Sequence, residues 1–493
     1  MKLNISAGTY QHPTVDINNQ ACINYFPYPS DYDGAGQIVA DNGQVMAGRV
    51  LLPTPGKTLV SGTANGGPVK ALMKFNDTIY AIIYNAGVDT LYKLSINAAA
   101  KTATATSIGT LGSSSSLRYK WARNPTQIFI TPGQGTTAYI LTVATDTLAA
   151  IADGDFTGAS DVVFAGSYFI YSTPSASTLY ATAANDGTNV DALDVTTVEA
   201  NPDLVVGLAV IRGEVWAFGR DSVEMFYNAG NATGFPFSPR VGAGLNVGCS
   251  AKNSIVTIDN SAFWIDHRRQ ICMSSGYEAN VISTHCMNAE FQTYDTVSDA
   301  YSYAHTFLGE EFYVITFPTQ NKTWVYGTKT GEWHERAHWD PNNLKFEKDI
   351  GTCSIAAVDS IILVGGVDGN IYHFDTKLFL DGDDLVHRIR RLSHQDTRRR
   401  YVTISELVLM GETGSALDSG TGSDPSIMMR YSNDAGHNWS HEMWRSMGTK
   451  GQYGKEVTWN RLGAARMWTF EFRVSDPFPH TLIDVEVDIE VGT

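Results

Sequence analysis

The stretch LMKFNDTIYAII, residues 72–83, sets two short apolar runs on either side of Asn76-Asp77. Apolar runs of this length, broken by turn-forming residues, mark a β-hairpin. The pattern returns as YKWARNPTQIFIT (119–131), VVFAGSYFIYS (162–172), LAVIRGEVWAF (208–218), IVTIDNSAFWID (255–266), HTFLGEEFYVI (305–315) and IAAVDSIILVG (355–365). The turn centres, near Asn76, Asn124, Gly166, Gly213, Asn260, Gly309 and Asp359, are spaced by 48, 42, 47, 47, 49 and 50 residues. A further strand follows within each unit, as in TLYKL, TLYAT, SVEMFY and NIYHFD. Four strands in a unit of about 47 residues fit a β-propeller blade better than a solenoid repeat. Six units are clear and one, around Asn124-Pro125, is weaker. The chain therefore reads as an all-β protein whose residues 66–380 form a β-propeller of six or seven blades.

Two segments fall outside the repeat. Residues 1–65, with CINYFPYPS and LLPTPGKTL, are rich in Pro and Gly and read as an arm and edge strands. Residues 381–493 alternate as YVTISELVLM, SIMMRYS, HEMWRS, VTWNRLG, MWTFEFRVS and TLIDVEVDIEV, the pattern of a C-terminal β-sandwich.

Composition bounds what such a protein can do. Its 493 residues, 43% of them apolar, fill a substantial core, and the 45 Gly, 23 Tyr, 21 Phe and 10 Trp suit packed sheets and tight turns. A net charge of −16 argues against a general duplex-DNA binder, which needs a basic footprint to displace counterions. The five cysteines, Cys22, Cys249, Cys272, Cys286 and Cys353, lie far apart with no C-x-x-C pair, which argues against a disulfide framework or zinc knuckle. His267, His285 and Cys286 have no metal-site spacing. Gly56-Lys57-Thr58 is only half of a phosphate-loop motif, and no G-x-S-x-G or H-E-x-x-H occurs. Neither catalysis nor a cofactor is expected. The N-terminus lacks an apolar signal region and no apolar run reaches membrane-spanning length, so a soluble protein is expected.

Three stretches carry candidate site residues. In YSNDAGHNWS (431–440), Ser432, Asp434, Gly436 and Trp439 make the S-x-D-x-G-x-x-W pattern called an Asp box in sialidases. Asp434 can accept backbone N–H bonds, Gly436 can take a positive φ and Trp439 can lie over the turn, so a structural hairpin is the favoured reading. A sialidase would carry several copies between blades, with an arginine cluster and a tyrosine nucleophile on the axis; this sequence has one copy, beyond the propeller. The segment HRIRRLSHQDTRRRY (387–401) holds Arg388, Arg390, Arg391, Arg398, Arg399 and Arg400. In so acidic a chain these suit ion pairs within the chain or with a neighbouring subunit, ahead of DNA phosphate. In IDVEVDIEV, Asp484, Glu486, Asp488 and Glu490 share one strand face. A solvated face is the plain reading, a cation site or a phosphate-repelling channel wall the others.

Several stretches, in order along the chain, resemble one family: INYFPYPS (23–30), LLPTPG (51–56), DSVEMFYNAGNATGFPFSPRVGAGLNVGCSAKNSIVTIDNSAFWI (221–265), GYEANVISTH (276–285), TWVYGTKTGEWHER (323–336) and RYSNDAGHNWSHEMWRSMGTKGQYGKEVTWNRLGAARMWTFEFRVSDP (430–477). That family is the tail hub, or nozzle, of short-tailed phages, the packaged-DNA stabilisation proteins. Residues 95–160, rich in Ala, Thr and Ser, depart from its pattern. The resemblance implies a structural virion protein, made in the host cytoplasm, with a propeller and a sandwich-like platform. It implies a homo-oligomeric ring, six-fold, below the portal and its adaptor. Such a ring encloses the channel through which double-stranded DNA passes, retains packaged DNA with a needle or plug, and carries tailspikes or fibres. The alternative from another class is a propeller that binds or cleaves glycans in receptor recognition.

Overall fold

In a computed structural model the chain is almost wholly strand. The structure describes residues 2–3, 5–6, 8, 19–30, 38–39, 45–46, 48–60, 67–97, 102–114, 118–198, 203–231, 233–357, 361–375, 377–393, 395–396 and 400–491. The chain divides into two compact units, one made of Leu59–Gln320 and Ile350–His373, the other of Met1–Thr58, Asn321–Asp349 and Phe374–Thr493.

The first unit is the propeller. Its hairpins pair Val69–Phe75 with Thr78–Asn85, Lys120–Arg123 with Gln127–Thr131, Asp161–Ala165 with Tyr168–Ser172, and Val205–Ile211 with Glu214–Gly219. Val256–Ile258 with Ser261–Ile265, Tyr301–Phe307 with Glu310–Phe317, and Gly351–Ala356 with Ile362–Gly366 continue the series. Each of the first five hairpins grows into a four-stranded antiparallel sheet. Turn chemistry drives these hairpins: Asn76, Gly166, Gly213 and Gly309 take φ of 51°, 54°, 79° and 74°, the left-handed region that Asn and Gly tolerate. The repeat around Asn124 is a complete sheet. Its turn is held by the Asn124 carboxamide oxygen, which accepts from the backbone of Thr126 at 2.8 Å and Gln127 at 2.6 Å.

The first strand of each hairpin packs against the first strand of the next, and Gly351–Ala356 packs back against Val69–Phe75. The described residues thus close a ring of seven repeats. Its cores lie between successive sheets, as where Met73 and Ile82 of the first meet Ile128 and Ile130 of the second, or Phe218 of the fourth meets Trp264 of the fifth. Closure leaves no sheet waiting for a partner face.

The second unit is a sandwich. One sheet runs Tyr25–Ser30, Gly48–Pro53, Leu482–Val491, Val402–Gly411, Val457–Ala465, with Lys2–Leu3 added to Leu482–Val491. The other includes, in order, Ala21–Ile23, Arg388–Arg391, Met467–Val474, Ser426–Ser432 and Met443–Ser446. Their inner faces meet through Leu51, Ile404, Leu407, Val485 and Val487 on one side and Ile427, Met429, Trp468, Phe470 and Phe472 on the other. The N-terminal strands are therefore integral to the sandwich: the alternating Tyr25 and Leu51 side chains have their buried face there.

Candidate functional site

On the outer face of the second sandwich sheet, strand register builds a charged cluster. Glu471 lies opposite Arg391 on one neighbouring strand and opposite Arg430 on the other. Arg391 donates through Nε at 2.8 Å and Nη2 at 2.5 Å, Arg430 through Nε at 2.8 Å, and Arg473, two residues along the same strand, through Nε at 2.9 Å. Glu471 is fully buried although it points away from the apolar core, because these side chains cover it. Burial alone would raise its pKa; Arg391, Arg473 and Arg430 outweigh burial and hold it below the ordinary value.

The Asp-box turn sits over this cluster. The Ser432 hydroxyl accepts from the backbone of Gly436 at 2.8 Å and donates to Asp434 at 2.7 Å. Asp434 accepts from Asn438 twice, from its backbone at 2.8 Å and its side chain at 2.6 Å. These bonds, the backbone one foremost, pull the Asp434 carboxyl down to about 2. Trp439 does more than cover a turn: the guanidinium carbons of Arg391 and Arg430 stand 5.0 and 4.6 Å from its ring centroid, a cation–π arrangement. Asn19 joins the assembly by donating to the Ala435 carbonyl at 3.0 Å and accepting from Arg391 at 2.6 Å. Both oxygens of Asp434 are engaged within the loop, the bonding of a turn-stabilising carboxylate.

The other predicted residues scatter. Arg391 forms an intrachain ion pair, but Arg388 and Arg390 are fully buried, which corrects their grouping with subunit or phosphate contacts. Arg388 and Arg390 lie opposite Val474 and Phe472, so both point to the inner face of the sheet and are enclosed by the core. Arg388 donates to the carbonyls of Val386 at 3.1 Å and Phe379 at 3.2 Å, and burial pushes its pKa down to about 10. Arg390 donates to the carbonyls of Gly8 and Ala21. Arg398 and Arg399 lie outside the described residues, and Arg400 is exposed. The acidic face is also divided. Asp488 and Glu490 are exposed and Glu486 half-buried, while Asp484 is buried, which removes it from any wet wall. Lys2, brought by the added strand, stands 3.7 Å from Asp484 and 3.4 Å from Glu486, and burial raises the Asp484 pKa. Among the described residues no group of three or more His, Cys, Asp or Glu could hold a metal ion.

Sequence reasoning missed a basic closure of the propeller axis. Arg118, just before the first strand of the second repeat, donates to the Ser302 carbonyl of the sixth at 3.1 Å and lies over the Tyr301 ring. Lys120 reaches the Lys252 carbonyl beside the fifth repeat at 3.2 Å. Lys252 in turn donates to the Ser160 carbonyl, to the Ser160 hydroxyl at 2.8 Å and to the Gly133 carbonyl at 3.1 Å. Burial pushes the Lys252 amine down to about 8. Lys120 also lines a cavity of about 350 Å³, together with Trp121, Asp161, Val163, Ala209 and Thr257 among others. Basic residues at the start of an innermost strand were the one available signal.

Comparison with known families gives two adjoining matches. The family described as bacteriophage P22 Gp10, beta-propeller, matches residues 1–378, and that described as bacteriophage P22 Gp10, beta-sandwich, matches residues 389–490. Comparison with curated protein sequences finds no match. Among solved structures, the WD40 beta propeller domain of Doa1 aligns at 10% identity and a TM-score of 0.42, covering 66% of this chain and 98% of that one. The extracellular domain of BT4673 from B. thetaiotaomicron aligns at 9% identity and 0.42, covering 66% of this chain and 40% of that one. BamB from Moraxella catarrhalis aligns at 10% identity and 0.37, covering 65% and 98%.

Proposed function

The chain belongs to the bacteriophage P22 Gp10 family of tail proteins that stabilise packaged DNA, and from that premise we propose that it is the ring-forming hub of a short tail. In this reading several copies surround the DNA channel below the portal and its adaptor, hold a needle or plug, and carry tailspikes or fibres outside. The observation that carries the reading beyond the family is the tied propeller axis. Arg118 and Lys120 span it from the second repeat to the sixth and fifth. A genome cannot thread a single copy by that route, so the conduit lies between copies. A charge of −16 per chain, repeated around a ring, keeps the passing duplex from tight phosphate contacts, and retention then rests on bore and plug. Exposed Arg400, with Arg398 and Arg399, is assigned to contacts with a neighbouring copy, and exposed Asp488 and Glu490 to a phosphate-repelling surface.

Negative-stain images of the purified protein test this directly. Rings with a central opening, together with weak duplex binding at physiological salt, are the expected result. A protein that stays monomeric at high concentration in the presence of its portal and adaptor contradicts it.

A further inference from the structure

Lys57, the lysine of the half phosphate-loop motif, is buried in the second unit beside two carboxylates. Its amine donates to a carboxylate oxygen of Asp349 and stands 3.5 Å from one of Asp381. The three side chains are 2%, 1% and 9% exposed. Each comes from a different one of the three stretches of chain that build the unit. Backbone pairing fixes them there. Lys57 lies opposite Asp381 across a parallel bridge, so the two side chains leave on one face. The Gly56 N–H donates to the Leu378 carbonyl at 2.8 Å and the Gly382 N–H to the Lys57 carbonyl at 2.7 Å, which holds that register. Asp349 is anchored by its own N–H, which donates to the Thr323 hydroxyl at 3.0 Å.

The bonding differs from that of the other deeply buried lysine pair. In the propeller, Lys70 donates to Asp89 at 3.0 Å and to the Ser114 carbonyl at 2.6 Å, and Asp89 accepts further from Tyr119 at 2.9 Å. Lys57 makes one side-chain hydrogen bond among the described residues, although an ammonium has three donors. What stands beside it instead is a second carboxylate. A charged pair held out of water by so few bonds is costly, and conversion to a neutral amide removes both charges. The Arg388 guanidinium, near enough to feel the Asp381 charge, balances the carboxylate that remains.

We propose that Lys57 and Asp349 join in an autocatalytic isopeptide bond, with Asp381 carrying the proton. The Lys57 ammonium passes one proton to Asp349, leaving a neutral amine beside a neutral carboxyl. The amine nitrogen attacks the Asp349 Cγ, and Asp381 takes a second proton from nitrogen. Asp381 returns that proton to the departing hydroxyl oxygen, so a C–O bond breaks, water leaves and an amide C–N bond remains. No oxidant, cofactor or second reactant enters. Burial and fixed neighbours supply a desolvated amine nucleophile, a carboxyl held in contact and a proton carrier within reach. The bond joins positions 292 residues apart, so even the denatured chain stays looped. This inference does not rest on ring formation, and either can fail without the other.

Mass spectrometry of the full-length protein under denaturing conditions provides the test. The chain should be about 18 Da lighter than its sequence requires, the mass of one water. Trypsin should leave residues 50–70 and 349–377 joined, with no cleavage after Lys57 and normal cleavage after Lys70. Lys57→Met should show the full mass of its own sequence. Asp381→Asn, checked for folding by circular dichroism, should form the link about a hundredfold more slowly, the worth of one proton carrier. The wild-type mass decides the bond even where a variant fails to fold. Wild-type protein at its full sequence mass with Lys57 cleaved, a mass loss that persists in Lys57→Met, or a link formed as fast in folded Asp381→Asn would each overturn the proposal.

Discussion

Asn19 and Ala435 are separated by 416 positions in sequence, yet the Asn19 side-chain amide donates to the Ala435 carbonyl at 3.0 Å. The contact fixes the Asp-box turn to the N-terminal segment and explains why position 436 is glycine. Gly436 has φ of 100°, and a Cβ there would lie 1.8 Å from the Asn19 Nδ2. Gly436→Ala should therefore destabilise the sandwich by about 2 kcal/mol, from left-handed strain together with the clash. In an Asn19→Ala background the clash is gone and only the strain remains. Chemical denaturation of the four proteins of this cycle should give a coupling energy; strict additivity would show that the two residues do not meet.

Asp434→Ala removes two bonds to Asn438 and one from Ser432, and should cost about 1 kcal/mol with no change in any hydrolytic activity. The carboxyl is held down to about 2, below its unfolded value, so its contribution is present above the ordinary carboxylate range and disappears as pH falls through about 2. Wild type and variant should then converge in stability at strongly acid pH. Sialidase activity in the wild type, abolished by this change, would assign the turn to catalysis instead.

Glu471→Gln leaves Arg391, Arg430 and Arg473 facing one another without their shared anion. A loss of about 3 kcal/mol is expected, the usual cost of removing one member of a buried ion cluster. Calorimetry would register this as a lower melting temperature of the sandwich transition. An unchanged transition would mean that solvent already compensates the three arginines.

Lys252 provides a pH signature for the closed propeller axis. Its folded pKa of about 8 lies below the unfolded value, so the unfolded chain holds the proton more tightly between those two values. Stability relative to a Lys252→Met variant should rise with pH from about 8 upward. A flat difference across that range would place the amine in open solvent.

The propeller was legible because its signals are local. Seven turns of Asn, Asp and Gly between apolar runs recur at even spacing, and each turn needs only neighbours in sequence to form. The Asp-box turn was legible for the same reason. What escaped was set by register and by distant partners. Glu471, flanked by Phe470 and Phe472 in MWTFEFRV, is a visible anomaly, but only the pairing of three strands shows that Arg391 and Arg430 lie opposite it. Arg388 and Arg390 read as ion-pair or subunit contacts because a fully buried guanidinium is rare, and only the pairing of their strand with Met467–Val474 shows that they face the core. Asp484 read as wet because the strand that covers it, Lys2–Leu3, lies at the other end of the chain.

The role in stabilising packaged DNA is tested most directly by the genome content of phage particles assembled without this protein, measured as nuclease-sensitive DNA over time. Such particles should fill and then lose their DNA, and adding the purified protein back should stop the loss. Particles that keep a nuclease-resistant genome and infect normally in its absence would contradict the role.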